Sequence, residues 1–464
     1  MKHQLYDIPS VHDILNDHSF DRACGALSHV ARSRLVRATL HLYRERLRTN
    51  ATERRLPPPC TPLMACVDAA RLVQQRFPKR VINGTGVLLH TNLGRCPLGP
   101  PSGPTDSRSL GGYSSVEWDF ETQERGDRCR PVELRLQLLT GAEAAVLVNN
   151  CAGALLLALS AVASGREVLV SRSEMIEIGG GFRIPEVIAL SGCILREIGT
   201  TNKTRLNDFE RNASPGSVLL KVHQSNFYQK GFVEQVSIEG MVALGRQFGM
   251  AVIEDNGSGL VVQSSDATLA NEPSVLKSVA LGVDAVCFSA DKMFGSVQAG
   301  IVVGKSALVS KMRTHPLYRA IRLDKGRIAS LHEVLGTHLA GRTAEIPLWH
   351  LRNRTLEQLQ RCLDQLDIPL HQTDSLSIRC LSLQATFGGG SNPDKSFASL
   401  GLELHHREIS PDALRRYFGA RAIPIIGYIR KRRFIIDVRA FFDADFDELR
   451  DALSELKLFV RMEE

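Results

Sequence analysis

Between residues 81 and 330 the chain repeats one alternation: a short apolar run, a helical or loop stretch, then another apolar run. The runs are AAVLVN (144–149), EVLVS (167–171), CILREI (193–198), SVLLKV (217–222), MAVIE (250–254) and AVCFS (285–289). Each is strand-length, whereas intervening stretches such as 152–163 and 237–248 are long enough for helices. This rhythm is that of βαβ units around a mostly parallel sheet with helices on its faces. It also constrains where chemistry can sit, because such sheets bind their ligands beyond the carboxyl ends of the strands.

The flanking regions have other patterns. Residues 1–80 predict a small helical domain. Val11, Ile14 and Leu15 open an apolar face, and Leu35, Val36, Leu40, Leu42 and Leu47 continue it between arginines. The run Pro57-Pro58-Pro59 reads as a hinge, and helix resumes over 62–77. Residues 331–464 begin helical, then alternate SIRCLSL, ASLGLELHH, PIIGYI and RFIIDVRAF with helical stretches, the pattern of a small α+β domain.

Charge separates the N-terminal block from the rest. The net charge is +7; residues 1–80 hold 14 Lys and Arg against 7 Asp and Glu, and the remaining residues balance at 43 against 43. A basic helical block on a neutral body points to a phosphate-rich partner. The segment MKHQLYDIPSVHDILND lacks the apolar core of a signal peptide, and no apolar run reaches the ~20 residues of a membrane helix, so a cytoplasmic location is expected. The ten cysteines include no C-x-x-C pair and no zinc-like spacing with histidine, so neither a disulfide framework nor a metal site is expected.

One lysine stands out. In CFSADKMFGSVQAGIVVGK (287–305), Lys292 follows a strand-like run and precedes a second one. GIVVGKS is one residue short of a phosphate-binding P-loop, and its interior is β-branched. S-A-D-K lacks the companion motifs of a serine–lysine hydrolase. A desolvated lysine at a strand end instead suits a Schiff base with pyridoxal phosphate. That cofactor needs an acid for its pyridinium nitrogen, and Asp255, which ends MAVIED before Asn256-Gly257-Ser258-Gly259, qualifies. It also needs a phosphate site. Asn150, Cys151 and Ala152 open a helix after a strand, where backbone N–H groups point outward, and Ser289 can add a hydroxyl. Phosphate loop, acid and lysine, in that order and each at a strand end, form the layout of an α/β aspartate-aminotransferase-like fold (fold type I).

At these residues the chain resembles the bacterial L-seryl-tRNA(Sec) selenium transferases, or selenocysteine synthases. The resemblance covers nearly the whole chain. It rests on VINGTGVLLHTNLGR (81–95), YSSVEWDFETQERGDR (113–128), TGAEAAVLVNN (140–150), EIGGGFRIP (177–185), GTTNKT (199–204), KVHQSNF (221–227), FSADK with QAGIVVGK, HPLYRAIRLDK (315–325) and PIIGYI. It implies that Lys292 carries pyridoxal phosphate, that Asp255 holds the pyridinium charge and that Asn226 meets the ring hydroxyl. Lys292 then serves as the base at the seryl Cα. Loss of the serine hydroxyl gives an aminoacrylyl-tRNA, to which selenium from selenophosphate adds. Arg95, Arg319 and Arg322 fall in motifs assigned to the selenophosphate anion, the latter two on one face of a segment that reads as helical. The family forms homo-oligomers, rings of dimers, and the same is expected here.

The chain departs from the family pattern at Arg130-Pro131, Cys151, Asn256, Ala290 and Ser296-Val297. The alternative these raise is a diverged pyridoxal phosphate enzyme acting on another aminoacyl or amino substrate. A non-catalytic tRNA-binding protein is the second alternative, and it would have no use for Lys292 or Asp255.

Overall fold

The computed structural model describes residues 8–52, 60–75, 77–98, 112–262, 266, 268–366, 376–389, 391 and 395–463, without the side chains of 50–52 and 457–463. The proline run 57–59 lies outside the described residues. The chain divides into two compact units, Met1–Arg80 and Val81–Glu464.

The first unit is helical, with helices Val11–Leu15, His18–Cys24, His29–Thr52 and Pro62–Gln74. Their starts are written in the sequence. Ser10 and Asp13 form a reciprocal capping box, Asp17 accepts from the amides of Ser19 and Phe20, and Thr61 accepts from Met64 ahead of Pro62 in the first turn. Ile14, Phe20, Cys24, Val36, Leu40, Cys66, Val67 and Ala70 make its core. Leu42, expected on the apolar face, is 61% exposed. Val36 and Leu40 are four residues apart and stack on one face, and two further residues rotate Leu42 by about 200° away from Leu40.

The second unit contains strands β1 (Ile82–Asn83), β2 (Ala144–Val148), β3 (Glu167–Ser171), β4 (Glu177–Ile178), β5 (Phe182–Arg183), β6 (Ile194–Ile198), β7 (Val218–Val222), β8 (Ala251–Gly257), β9 (Ala285–Ser289), β10 (Gly300–Gly304), β11 (Leu376–Thr386), β12 (Ser396–His406), β13 (Ile425–Ile426), β14 (Tyr428–Arg430) and β15 (Arg433–Asp437). A seven-stranded sheet runs in the order β2-β10-β9-β8-β7-β3-β6. All its strands run parallel except β10, which is antiparallel to both β2 and β9. Strand alternation sends Leu147, Leu219, Val252 and Val286 into one core, and Val146, Leu220, Ile253 and Cys287 into another. A sheet buried on both faces needs apolar residues at successive positions, hence the nearly unbroken Val/Ile/Leu runs.

Glycine lets β10 insert. A Cβ on Gly300 would stand 2.0 Å from the carbonyl oxygen of Asn150, and one on Gly304 would stand 2.2 Å from that of Asp284. The backbone pairs Gly300 with Ser289 on one side and Val148 on the other, so three segments of the expected site converge there. GIVVG is thus a strand, as its β-branched interior indicates.

A four-stranded antiparallel sheet, β11-β12-β15-β14, forms the C-terminal part. Helices Leu356–Asp364, Pro411–Gly419 and Asp443–Glu463 cover it through Leu359, Leu414, Phe418, Phe446, Leu449 and Leu453. The segment that opens the second unit is built into this part: Ile82 pairs with Ile425, Thr85 with Asp437 and Val87 with Thr386. Among the described residues no helix is long and apolar enough to cross a membrane.

Candidate active site

The loop between β9 and β10 is not a solvated turn. Ala290, Met293, Phe294 and Ser296 are completely buried. The amide of Ala290 donates to Ala299 O at 2.9 Å, that of Ser296 to Ala290 O at 2.8 Å and that of Met293 to Ser258 O at 2.9 Å. Trp349 Nε1 donates to Met293 O at 3.1 Å, and the His338 ring meets Phe294 O at 2.9 Å. Gly259, at φ +70°, passes so close that a Cβ would lie 2.6 Å from Ser289 O. A backbone tied down this tightly holds Lys292 at 8% exposure. Its Nζ has no hydrogen-bond partner among the described residues. Burial lowers the lysine's pKa and the Arg95 charge adds to the effect, while Cys151, Asp255 and Asp291 oppose it.

Lys292 opens into a cavity of about 260 Å³ whose walls also carry Arg95, Asn150, Cys151, Ala152, Asp255 and Ser289. Seven of the ten residues singled out in the sequence therefore share one space. Asp255 is 6% exposed, and burial raises its carboxyl to about 6 against the pull of Lys292 and a hydrogen bond from Cys151. That bond, Cys151 Sγ to Asp255 Oδ1 at 3.6 Å, joins residues 104 positions apart. Burial pushes the Cys151 thiol well above its ordinary range, so it stays protonated and donates.

The phosphate end is a helix start. Helix Cys151–Ala163 follows β2 directly, and Asn150 caps it by accepting from the Gly153 amide at 2.8 Å. The amides of Cys151 and Ala152 have no acceptor among the described residues, and Asn149 Oδ1 is buried without a partner. Two free N–H groups at the positive end of a 13-residue helix dipole suit a dianion.

Three expectations change. The Ser289 hydroxyl donates to Asp291 Oδ1 at 2.6 Å, so it orders the lysine loop instead of facing the helix start. Asp291 also receives Arg95 Nη1 at 3.0 Å, which ties Arg95 into the wall beside Lys292. Asn226 does not line the cavity; in the segment beyond β7 the His223 ring meets Asn256 O at 3.0 Å and Gln224 Nε2 donates to Ser173 O at 2.6 Å. Finally, Arg319 and Arg322 share no helical face, because the helix Pro316–Ala320 stops before Arg322. Both are exposed and neither lines the cavity. Arg322 is held by Glu117 at 3.4 Å, a carboxylate also bound by Arg128 at 2.7 Å and Arg125 at 2.9 Å. Ile321, between the two arginines, accepts the Asn149 amide at 2.9 Å, which anchors their segment beside the helix start.

Sequence reasoning missed Ile178, Gly179, Phe182 and Gln298, which with Gly257 complete the cavity. The first three come from the glycine-rich EIGGGFRIP motif, a recognisable signal. Gln298 opens the QAGIVVGK motif, in which the strand is the legible feature and the first residue is not.

The chain matches the L-seryl-tRNA selenium transferase family model over residues 81–442. It is 42% identical over 383 residues to the L-seryl-tRNA(Sec) selenium transferase of Geobacter sulfurreducens, covering 82% of this chain and 83% of that protein. It is 39% identical over 380 residues to the enzyme of the same name from Aquifex aeolicus, covering 82% and 84%. Among solved structures it is similar to a D-glucosaminate-6-phosphate ammonia-lyase, with a TM-score of 0.58 and 18% identity, over 83% of this chain and 97% of that one. The latter similarity extends to the fold, and the architecture is aspartate-aminotransferase-like.

Proposed function

Because the chain belongs to the L-seryl-tRNA selenium transferase family, we propose that it converts seryl-tRNA(Sec) to selenocysteinyl-tRNA(Sec), with pyridoxal phosphate held on Lys292 and selenophosphate as donor. The observation that carries this reading is the convergence of a desolvated lysine, a buried carboxyl and an uncapped pair of helix N–H groups on one cavity.

The residues fit the cofactor. The Cys151 and Ala152 amides would take its phosphate, Asp255 its ring nitrogen and Lys292 its aldehyde carbon. When bound, pyridoxal phosphate supplies an electron sink that makes the Cα proton of a linked serine acidic. Lys292 is suited to remove that proton. Its lowered pKa leaves more of the amine neutral near neutral pH, and among the described residues its Nζ has no competing hydrogen bond. The proton then on Nζ is available to the departing serine hydroxyl, which leaves as water. Asp255 would supply the negative charge for the ring nitrogen, and the Cys151 thiol holds one of its carboxylate oxygens in place. Ser289 and Arg95 act through Asp291 and hold the lysine loop in position.

A direct assay tests the reading: purified protein, seryl-tRNA(Sec) and selenophosphate should yield selenocysteinyl-tRNA. Unchanged seryl-tRNA in the presence of bound cofactor would overturn it.

On the family motif we assign Arg95, Arg319 and Arg322 to the donor oxyanion: Arg95 would meet it from the cavity wall while still paired with Asp291, and the segment of Arg319 and Arg322, outside the cavity, is anchored beside the helix start through Ile321. Guanidinium groups stay charged and bond oxyanions in pairs. The Arg319→Ala variant is expected to keep cofactor absorbance and seryl-tRNA binding while the donor KM rises about tenfold or more, the loss of one charge-assisted hydrogen bond. Loss of cofactor with unchanged donor kinetics would place Arg319 at the cofactor instead.

The basic N-terminal unit is assigned to the tRNA backbone. Arg34, Arg37 and Arg46 are exposed along the helix His29–Thr52. For Arg37→Ala, the slope of log affinity against log salt should become shallower by about one. An unchanged slope would exclude a phosphate contact there. Homo-oligomerisation, a ring of dimers by the resemblance, is testable by sedimentation.

A further inference from the structure

Glu254 and Asp255 are successive residues of β8, so their side chains leave opposite faces of the sheet. Asp255 enters the Lys292 cavity. Glu254 enters a different one, of about 410 Å³, bounded also by Lys221, Gln229, Glu272, Phe227 and Tyr228. Glu254 is 3% exposed. Its Oε1 lies 3.4 Å from Asn256 Nδ2, but its Oε2 is buried with no hydrogen-bond partner among the described residues. Gln229, from a separate loop, presents a second buried acceptor, Oε1, in the same condition. Two orphaned acceptors in the walls of one cavity call for a donor, because a buried polar group left unmet is costly.

Charge narrows the class of donor. Lys221, the lysine in the wall, is already engaged by Glu174 and by Val236 O at 2.8 Å. The His223 ring, 3.0 Å from Asn256 O and 3.9 Å from Glu272 Oε1, is pushed down to about 4 by burial and is therefore neutral at pH 7. Burial raises the Glu254 carboxyl against the pull of Ser278, Asn256 and Lys221, and a cation held in the cavity is what would restore its charge. Among the described residues no group of three His, Cys, Asp or Glu side chains is arranged to hold a metal ion. Phe227 and Tyr228 are 39% and 59% exposed, and aromatic faces attract organic cations. An ammonium group, with three N–H donors and one compact charge, matches these demands.

We propose that this pocket binds a primary alkylammonium ion, with its nitrogen on Glu254 Oε2 and its hydrocarbon against Phe227 and Tyr228. The pocket is separate from the Lys292 cavity, and the proposal does not depend on the reaction assigned to that cavity.

The test is calorimetric titration of the full-length, cofactor-loaded protein with 1,4-diaminobutane, against 1,4-butanediol and a sodium chloride solution of matched ionic strength. Saturable binding of the diamine alone is expected. Glu254→Gln, which keeps the shape and removes the charge, should weaken it at least tenfold and leave the cofactor spectrum unchanged. If that variant does not fold, Gln229→Leu is the second reading, and a weaker diamine affinity in it supports the site. No saturable heat beyond the salt control, or unaltered affinity in a folded variant, would overturn the proposal.

Discussion

Replacing Lys292 with alanine is expected to lower turnover by at least three decades while leaving the fold intact. Two contributions add. The side chain is assigned both the covalent hold on the cofactor and the proton transfer at the seryl Cα, and a positioned acid–base group alone contributes about 10²–10⁴. The fold tolerates the change because the loop is held by main-chain bonds from Ala290, Met293 and Ser296, with no hydrogen bond from the lysine amine among the described residues. Far-UV circular dichroism should therefore match the parent protein. Borohydride treatment of the parent should leave the cofactor on the peptide containing Lys292, and the variant should retain none after the same treatment. Label on another lysine, or turnover within tenfold of the parent, would remove Lys292 from the centre of the mechanism.

The second large effect belongs to Asp255. Burial raises its carboxyl to about 6, above the ordinary 3.8, because a lone carboxylate in that space is poorly solvated. A cationic ring nitrogen opposite it would favour the ionised form and draw the pKa back down. The sign follows. Below about pH 6 the cofactor-free protein carries the proton, which must leave when the cofactor binds, so affinity falls by up to tenfold per pH unit; above pH 7 this group contributes no dependence. Asp255→Asn should abolish that step. It should also reduce turnover by roughly two to four decades, since losing one partner of a buried charge pair costs about 3–5 kcal/mol. Cofactor titrations at pH 5.5 and 7.5 check the first part, and single-turnover rates the second. A variant with the parent's pH profile would show that another group meets the ring nitrogen.

Local pattern was enough to read much of this protein. The six apolar runs between residues 144 and 289 all became strands of one sheet; five are buried on both faces, which demands a signature visible within five residues, and the sixth, β6, is a partly exposed edge. Asn150 reads as a cap and Lys292 as a lysine at a strand end without any knowledge of the partners they meet. The family motifs carried the chemistry further than periodicity could.

What local pattern could not supply is which residues touch. No rule of spacing places β10 antiparallel between β2 and β9, yet that insertion brings Gly300 against Asn150 and draws the helix start and the lysine loop together. Cys151 meets Asp255 across 104 residues, and Arg322 meets Glu117 across 205. Asn226, a few residues past the end of β7, is not among the residues that line the cavity. Secondary structure follows from periodicities of two and 3.6 residues, which any short segment displays. A site made from the ends of non-adjacent strands follows from sheet order, which is set only when the long-range apolar faces have been buried together.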